Sequence, residues 1–213
     1  MPESILCKIC GKRRARRFCP AVEGDICPLC CGTERETTLS CPFECEYLKE
    51  AHRREKPVLI SRNQLANPDI DVNEEFIRSH EEFLLFCIYS LLHAALRVPG
   101  AVDSDVVDAL EALIQTHRTL ESGLVYETRA HNTIAAEIQH SFTASLADYQ
   151  KLRHERERLS PIRNVETLAI LVFLHRLAQQ NQNGRPRGRM YLDLLRQMTP
   201  DQSAEAVAPS IIL

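Results

Sequence analysis

The chain has no tryptophan and few aromatic residues of any kind. It also lacks a membrane-length apolar run. Phe83 to Leu96 is almost wholly apolar but falls short of the roughly 20 residues that a span requires, and it carries Ser90 and His93. The opening segment, MPESILCKIC, has no apolar core of the kind a secretory signal needs, so a cytoplasmic location and no membrane partner are expected. Strand-like alternation is scarce. No phosphate-cradling glycine loop and no G-x-S-x-G elbow occurs, so nothing in the motifs announces an enzyme. A net charge of -3 argues against a dedicated nucleic-acid binder.

Cysteine is what the chain has in excess. Of nine, eight lie from Cys7 to Cys45, and the ninth, Cys87, sits in the apolar run as a small hydrophobe. In a reducing compartment clustered cysteines point to metal rather than to disulfides. Cys7-x2-Cys10 precedes Gly11, and Cys27-x2-Cys30 precedes Cys31 and Gly32. Two residues between sulfurs allow one tight turn to aim both at one ion, and the following glycine can take a positive φ that turns N–H groups toward the thiolates.

Cys41-Pro-Phe-Glu-Cys45 opens an expected helix, with Cys41 near the N-cap and Pro42 in its first turn. Cys19 stands alone. Eight cysteines match two closed tetrahedral zinc sites, so two Zn2+ per chain are expected, with ligands Cys7, Cys10, Cys19, Cys27, Cys30, Cys31, Cys41 and Cys45. Each site takes one of Cys30 and Cys31. An iron–sulfur cluster would ordinarily use a tighter cysteine run, and a catalytic zinc would need an open position. His52 is an alternative ligand or an exposed side chain.

This ligand order resembles the HIT and MYND class of cross-braced, treble-clef-like zinc fingers. The resemblance covers about forty residues. It implies that Cys7 and Cys10 share an ion with Cys27 and Cys31, and that Cys41 and Cys45 take the place of the family's His-x3-Cys pair. It also implies a protein-binding role. Cys19 lacks its usual near partner, a position for which Cys30 is the substitute.

Lys12, Arg13, Arg14, Arg16 and Arg17 crowd the same segment. The four arginines read either as a nucleic-acid or phosphate contact or as counter-charge to the sulfurs. Residues 1–62 hold twelve Lys or Arg and nine Asp or Glu, a balance of +3. A zinc ion with four thiolates carries -2, so two such sites bring the segment near -1. That favours the counter-charge reading. Arg185, Arg187 and Arg189 read as a solvated interhelical loop.

The remainder is helical in pattern. The fold class expected is mainly α, a small N-terminal zinc-binding module at 1–50 followed by an antiparallel four- or five-helix bundle at 74–198, with a linker at 51–73 and a tail at 199–213. Helices are expected from about Asn73 to Val98, from Asp103 or Ser104 to Gly123, from Asn132 or Thr133 to Ser160-Pro161, from Asn164 through the all-apolar LAILVFL, and from Met190 to Met198. Glu137 and His140 form a lone Glu-x-x-His, where a dimetal bundle would need two. His93, His117 and His175 read as core histidines, and Tyr126, Glu127, Arg129 and His131 as a loop able to line a pocket. The function expected is a zinc-structured protein-interaction adaptor with a protein partner. Nucleic-acid binding through Arg13–Arg17, or an enzyme in the helical domain, are the alternatives, and a homo-oligomer is compatible with all three.

Overall fold

The computed structural model describes residues 5–57, 59–61, 64–157 and 161–199. The expected tail, apart from Thr199, and the Ser160 stop signal lie outside them. The chain is mainly helical. A two-stranded antiparallel sheet, β1 Arg17–Cys19 and β2 Gly24–Ile26, precedes α1 Pro28–Glu34 and α2 Glu46–Arg54. Then come α3 Glu74–Ser79, α4 Glu81–Arg97, α5 Asp103–Glu121, α6 Thr133–Leu152, α7 Asn164–Asn181 and α8 Met190–Met198.

Helix starts follow side-chain chemistry. The Asn73 carboxamide accepts from Phe76 N–H and the Asn132 carboxamide from Ala135 N–H, each satisfying a donor that a helix leaves unpaired at its first turn. Asn164 is not the cap of α7. Arg163 holds that position, and Glu166 reaches back to its N–H. The helix expected from Asn73 to Val98 is two helices. The Ser79 hydroxyl donates to the Phe76 carbonyl and the His80 ring lies against the same oxygen, so local bonds compete with the helical ladder there.

The bundle core is formed where apolar faces meet. Cys87, Ile88 and Leu91 of α4, Val106 and Leu110 of α5, and Phe142 of α6 are fully buried. The apolar centre of α7 sits among them, with Ile170, Leu171, Val172 and Leu174 fully buried, as its lack of a polar face demands. Helices α5 and α7 run antiparallel, since His117 late in α5 meets Asn164 at the start of α7 and Glu111 meets His175. Phe83 and Phe86 at the start of α4 stack on Tyr149 near the end of α6. The α5–α6 connection adds one parallel neighbour. Residues 122–132 run back along α5, with Thr119 bonded to Tyr126, Thr116 to Thr128 and Asp108 to Asn132. Buried Gln139 accepts from Ala130 N–H and donates to the Thr128 carbonyl, which fixes this loop.

The stretch read as a linker is held to the bundle in its described part. Arg176 of α7 donates to the carbonyls of Ala66, Asn67 and Ile70, and Arg118 of α5 forms a two-bond pair with Asp69 at 2.8 Å. No helix among the described residues is long and apolar enough to cross a membrane.

Candidate metal centre

Four sulfurs come together in the N-terminal segment. The Sγ atoms of Cys7, Cys10, Cys27 and Cys30 all lie within 4.8 Å of one another, a spacing that suits one tetrahedral ion. Two local devices assemble them. Cys7 to Gly11 is a tight turn closed by Gly11 N–H on the Cys7 carbonyl at 2.7 Å, with Gly11 at φ +60°. Cys27 is the N-cap of α1, its sulfur accepting from Cys30 N–H at 3.4 Å, and Pro28 fills the first helical position.

The sulfurs do not share one electrostatic environment. Burial alone would raise the Cys7 thiol, but N–H groups of Cys10, Cys27 and Ile9 outweigh it and bring the group down to about 6. Cys10 is lowered by the N–H groups of Lys12 and Arg13. Cys30 is pushed up to about 12, by burial first and then by the neighbouring sulfurs of Cys27, Cys10 and Cys7. Four thiolates packed this closely repel one another, and a dication removes that repulsion.

The partition of Cys30 and Cys31 departs from the resemblance. Cys30, not Cys31, completes the group with Cys7, Cys10 and Cys27. The reason is α1. Both residues lie on a helix, so their side chains diverge by about 100°. Cys31 instead takes the guanidinium groups of Arg17 and Arg35, each at 3.7 Å. Gly32 lies inside the helix and has no positive φ.

The remaining cysteines do not form a second close group of sulfurs among the described residues. Cys19, Cys31 and Cys41 are buried and Cys45 is half-buried. The Cys41 thiol is pushed up to about 11, chiefly by burial, then by the charges of Cys45, Glu36 and Cys19, against a bond from Glu36 N–H. The helix expected to open at Cys41 opens at Glu46 instead, with Cys45 as its N-cap. Residues 41–45 form a turn closed by Cys45 N–H on the Pro42 carbonyl. Its tip, Phe43, is buried in the bundle core beneath the guanidinium groups of Arg189 at 3.9 Å and Arg196 at 4.7 Å.

The arginines divide by strand alternation. From Arg14 to Cys19 exposure alternates, with Arg14, Arg16 and Phe18 outward and Ala15, Arg17 and Cys19 inward. Arg17 reaches Cys31 and also lies 4.3 Å over the Tyr47 ring. Arg13 interacts first with Cys27 and also with Cys10, and its pKa is raised accordingly. Arg14 and Arg16 have no such partner among the described residues. Leu6, paired across a β-bridge with Arg14, is also exposed.

Sequence reading missed a buried polar junction between the cysteine segment and the bundle. His52 is not exposed, and both its ring nitrogens are engaged by carboxylates. It is 8% exposed, with Nε2 3.0 Å from Glu36 Oε1 and Nδ1 3.1 Å from Asp193 Oδ2 of α8. Glu36 is fully buried at φ +52° and also receives Arg189 N–H and the Asn183 carboxamide. Arg185 donates to the Arg35 carbonyl and Arg187 N–H to the Glu36 carbonyl. The 185–189 loop is therefore a docking element, not a solvated connection. Asp103, at the start of α5, accepts from Tyr191 and Leu192 N–H and so caps α8 from outside.

The other expected groups are spread apart. Glu137 and His140 are exposed on α6. His175 is buried against Glu111, His117 is half-buried against Asn164, and His93 is exposed beside Tyr89. Tyr126 and Glu127 line one cavity of about 320 Å³, while Arg129 and His131 line another of about 410 Å³. No protein-family model matches the chain, and no curated protein or solved structure matches it either.

Proposed function

We propose that this chain is a zinc-structured protein-interaction adaptor, not an enzyme, working in a reducing, cytoplasmic setting. Zinc at Cys7, Cys10, Cys27 and Cys30 suits the all-sulfur donor set, since closed four-cysteine sites are structural. A second zinc at Cys19, Cys31, Cys41 and Cys45 uses the cysteines that remain. The mutual influence of Cys41, Cys45 and Cys19, and the two guanidinium groups on Cys31, support it. The ligands then interleave along the chain, as in the cross-braced HIT and MYND fingers that the spacing resembles.

The observation that carries the interaction role is the division of the arginines. Arg13 and Arg17 are engaged with sulfur, and the outward face of the small sheet offers Leu6, Arg14, Arg16 and Phe18. Exposed aliphatic and aromatic groups framed by arginine are the composition of a protein-binding surface. Two unengaged arginines on a segment near -1 supply little of the counter-ion release that drives nucleic-acid binding.

The test is affinity capture by the full chain beside an Arg14/Arg16/Phe18→Ala variant with equal zinc content. Discrete protein partners retained by the first and lost by the second support the adaptor reading. Retention on nucleic acid that falls steeply with salt and vanishes in the variant would establish the nucleic-acid reading instead.

A further inference from the structure

Helix α4 has the wrong outside. A surface helix normally turns charged and polar side chains to water. On α4 the exposed positions between its two ends are Leu85, Tyr89, His93 and Leu96, with the three apolar side chains 41–43% exposed. All other positions from Phe83 to Ala95 are buried or half-buried in the bundle. These four sit at spacings of four, four and three, so they form one narrow stripe along one side of the helix. The Tyr89 and His93 rings meet at 4.0 Å between centroids, tilted by 41°, which makes an aromatic centre. Neither ring's polar atoms has a hydrogen-bond partner among the described residues.

The ends of the stripe carry opposite charge. Exposed Glu81 and Glu82 lie at the N-terminal end and exposed Arg97 at the C-terminal end. No ion pair within the described residues engages any of them. That order is self-complementary for a two-fold axis. At about 1.5 Å rise per residue, an antiparallel copy centred near Leu91 sets Tyr89 against His93 of its partner and brings Leu85 within about 2 Å of the level of Leu96. Arg97 then faces the partner's acidic first turn across a distance that a long side chain spans. A parallel copy would set Glu against Glu and Arg against Arg.

We infer that the α4 stripe of Leu85, Tyr89, His93 and Leu96 is a homodimer interface in which two copies of this chain pair their α4 helices antiparallel, with Arg97 of each copy bonded to the other's Glu82. The occupant is a second copy because both the apolar stripe and the end charges complement themselves. One helix per protomer makes a contact below the standard interface size, so the dimer is reversible, with dissociation in the micromolar range.

Sedimentation velocity on the full zinc-loaded chain, over roughly a hundredfold range of concentration, is the test. The expected result is a monomer–dimer equilibrium. Leu85→Glu, at an exposed site where folding is spared, weakens it at least about tenfold. Arg97→Glu also weakens it, and adding Glu82→Arg to Arg97→Glu restores it. Circular dichroism of each variant verifies that the bundle is intact. A chain that stays monomeric throughout leaves the stripe to a different protein and overturns the inference. So does a dimer that Leu85→Glu leaves unchanged, or one in which the double charge swap gives no rescue.

Discussion

Replacing His52 with alanine breaks the junction between the cysteine segment and α8 at its centre. The imidazole bridges two carboxylates, Glu36 and Asp193, and its side chain is 5% exposed. Burial alone would lower its pKa, but bonds and charge from Asp193 and Glu36 outweigh this and raise it from 6.5 to about 9. That difference corresponds to roughly 3 kcal/mol of stabilisation of the charged ring. Removing one partner of a buried pair costs about 3–5 kcal/mol in general, and Glu36 keeps the Arg189 N–H and the Asn183 carboxamide, so the low end applies here. A folded pKa above the unfolded one gives stability that is complete below about 6.5 and is lost as pH rises through about 9. Urea unfolding of zinc-loaded protein between pH 6 and 9.5 should therefore show His52→Ala less stable by about 3 kcal/mol at the acid end, with the gap narrowing toward the alkaline end. A gap below about 1 kcal/mol, or one independent of pH, would refute the charged bridge.

Metal removal should act beyond the cysteine segment. Phe43 and Glu36 connect it to α8, so chelation is expected to reduce amide-exchange protection at Tyr191, Leu192 and Leu195 while Ile170 and Leu171 of α7 stay protected. Equal protection of α8 with and without chelator would show that the junction holds without metal. Arg13/Arg17→Ala should weaken zinc binding by about 10–100-fold, as loss of groups that hold ligand sulfurs does, whereas Arg14/Arg16→Ala leaves it unchanged. Competition with a chromophoric chelator measures both, and equal effects would contradict the division of the arginines.

The parts legible in the sequence were the local ones. Asn73 and Asn132 cap helices by bonding three residues ahead, and the all-apolar centre of α7 states its own burial. The two C-x2-C spacings pointed to a metal site but not to its fourth sulfur, since the resemblance put Cys31 with Cys7, Cys10 and Cys27 where the structure puts Cys30. The start of α1 was not read, although Cys27-Pro28 carries the same cap signal that was read at Cys41-Pro42, where a turn forms instead. The junction was not legible. Glu36, His52 and Asp193 are joined across 141 residues of chain, and no periodicity reports a pairing of that range. The 185–189 loop read as solvated for the same reason. Arg185 donates to the Arg35 carbonyl, Arg187 to the Ser40 hydroxyl and Arg189 N–H to the Glu36 carboxylate, partners invisible to local pattern. The α4 break at His80 coincides with side-chain bonds from Ser79 and His80 to the Phe76 carbonyl, local detail that propensity does not report.

The proposed arrangement is two interleaved zinc sites, with Cys30 in the first and Cys31 in the second. Native mass spectrometry of the full chain, its Cys30→Ser variant and its Cys31→Ser variant tests it most directly. Two zinc ions are expected in the parent chain. Cys30→Ser should loosen one ion and Cys31→Ser the other, so that Cys30/Cys31→Ser together weaken both. A single zinc per chain, iron with visible absorbance, or a Cys31→Ser variant that holds both ions as tightly as the parent would contradict it.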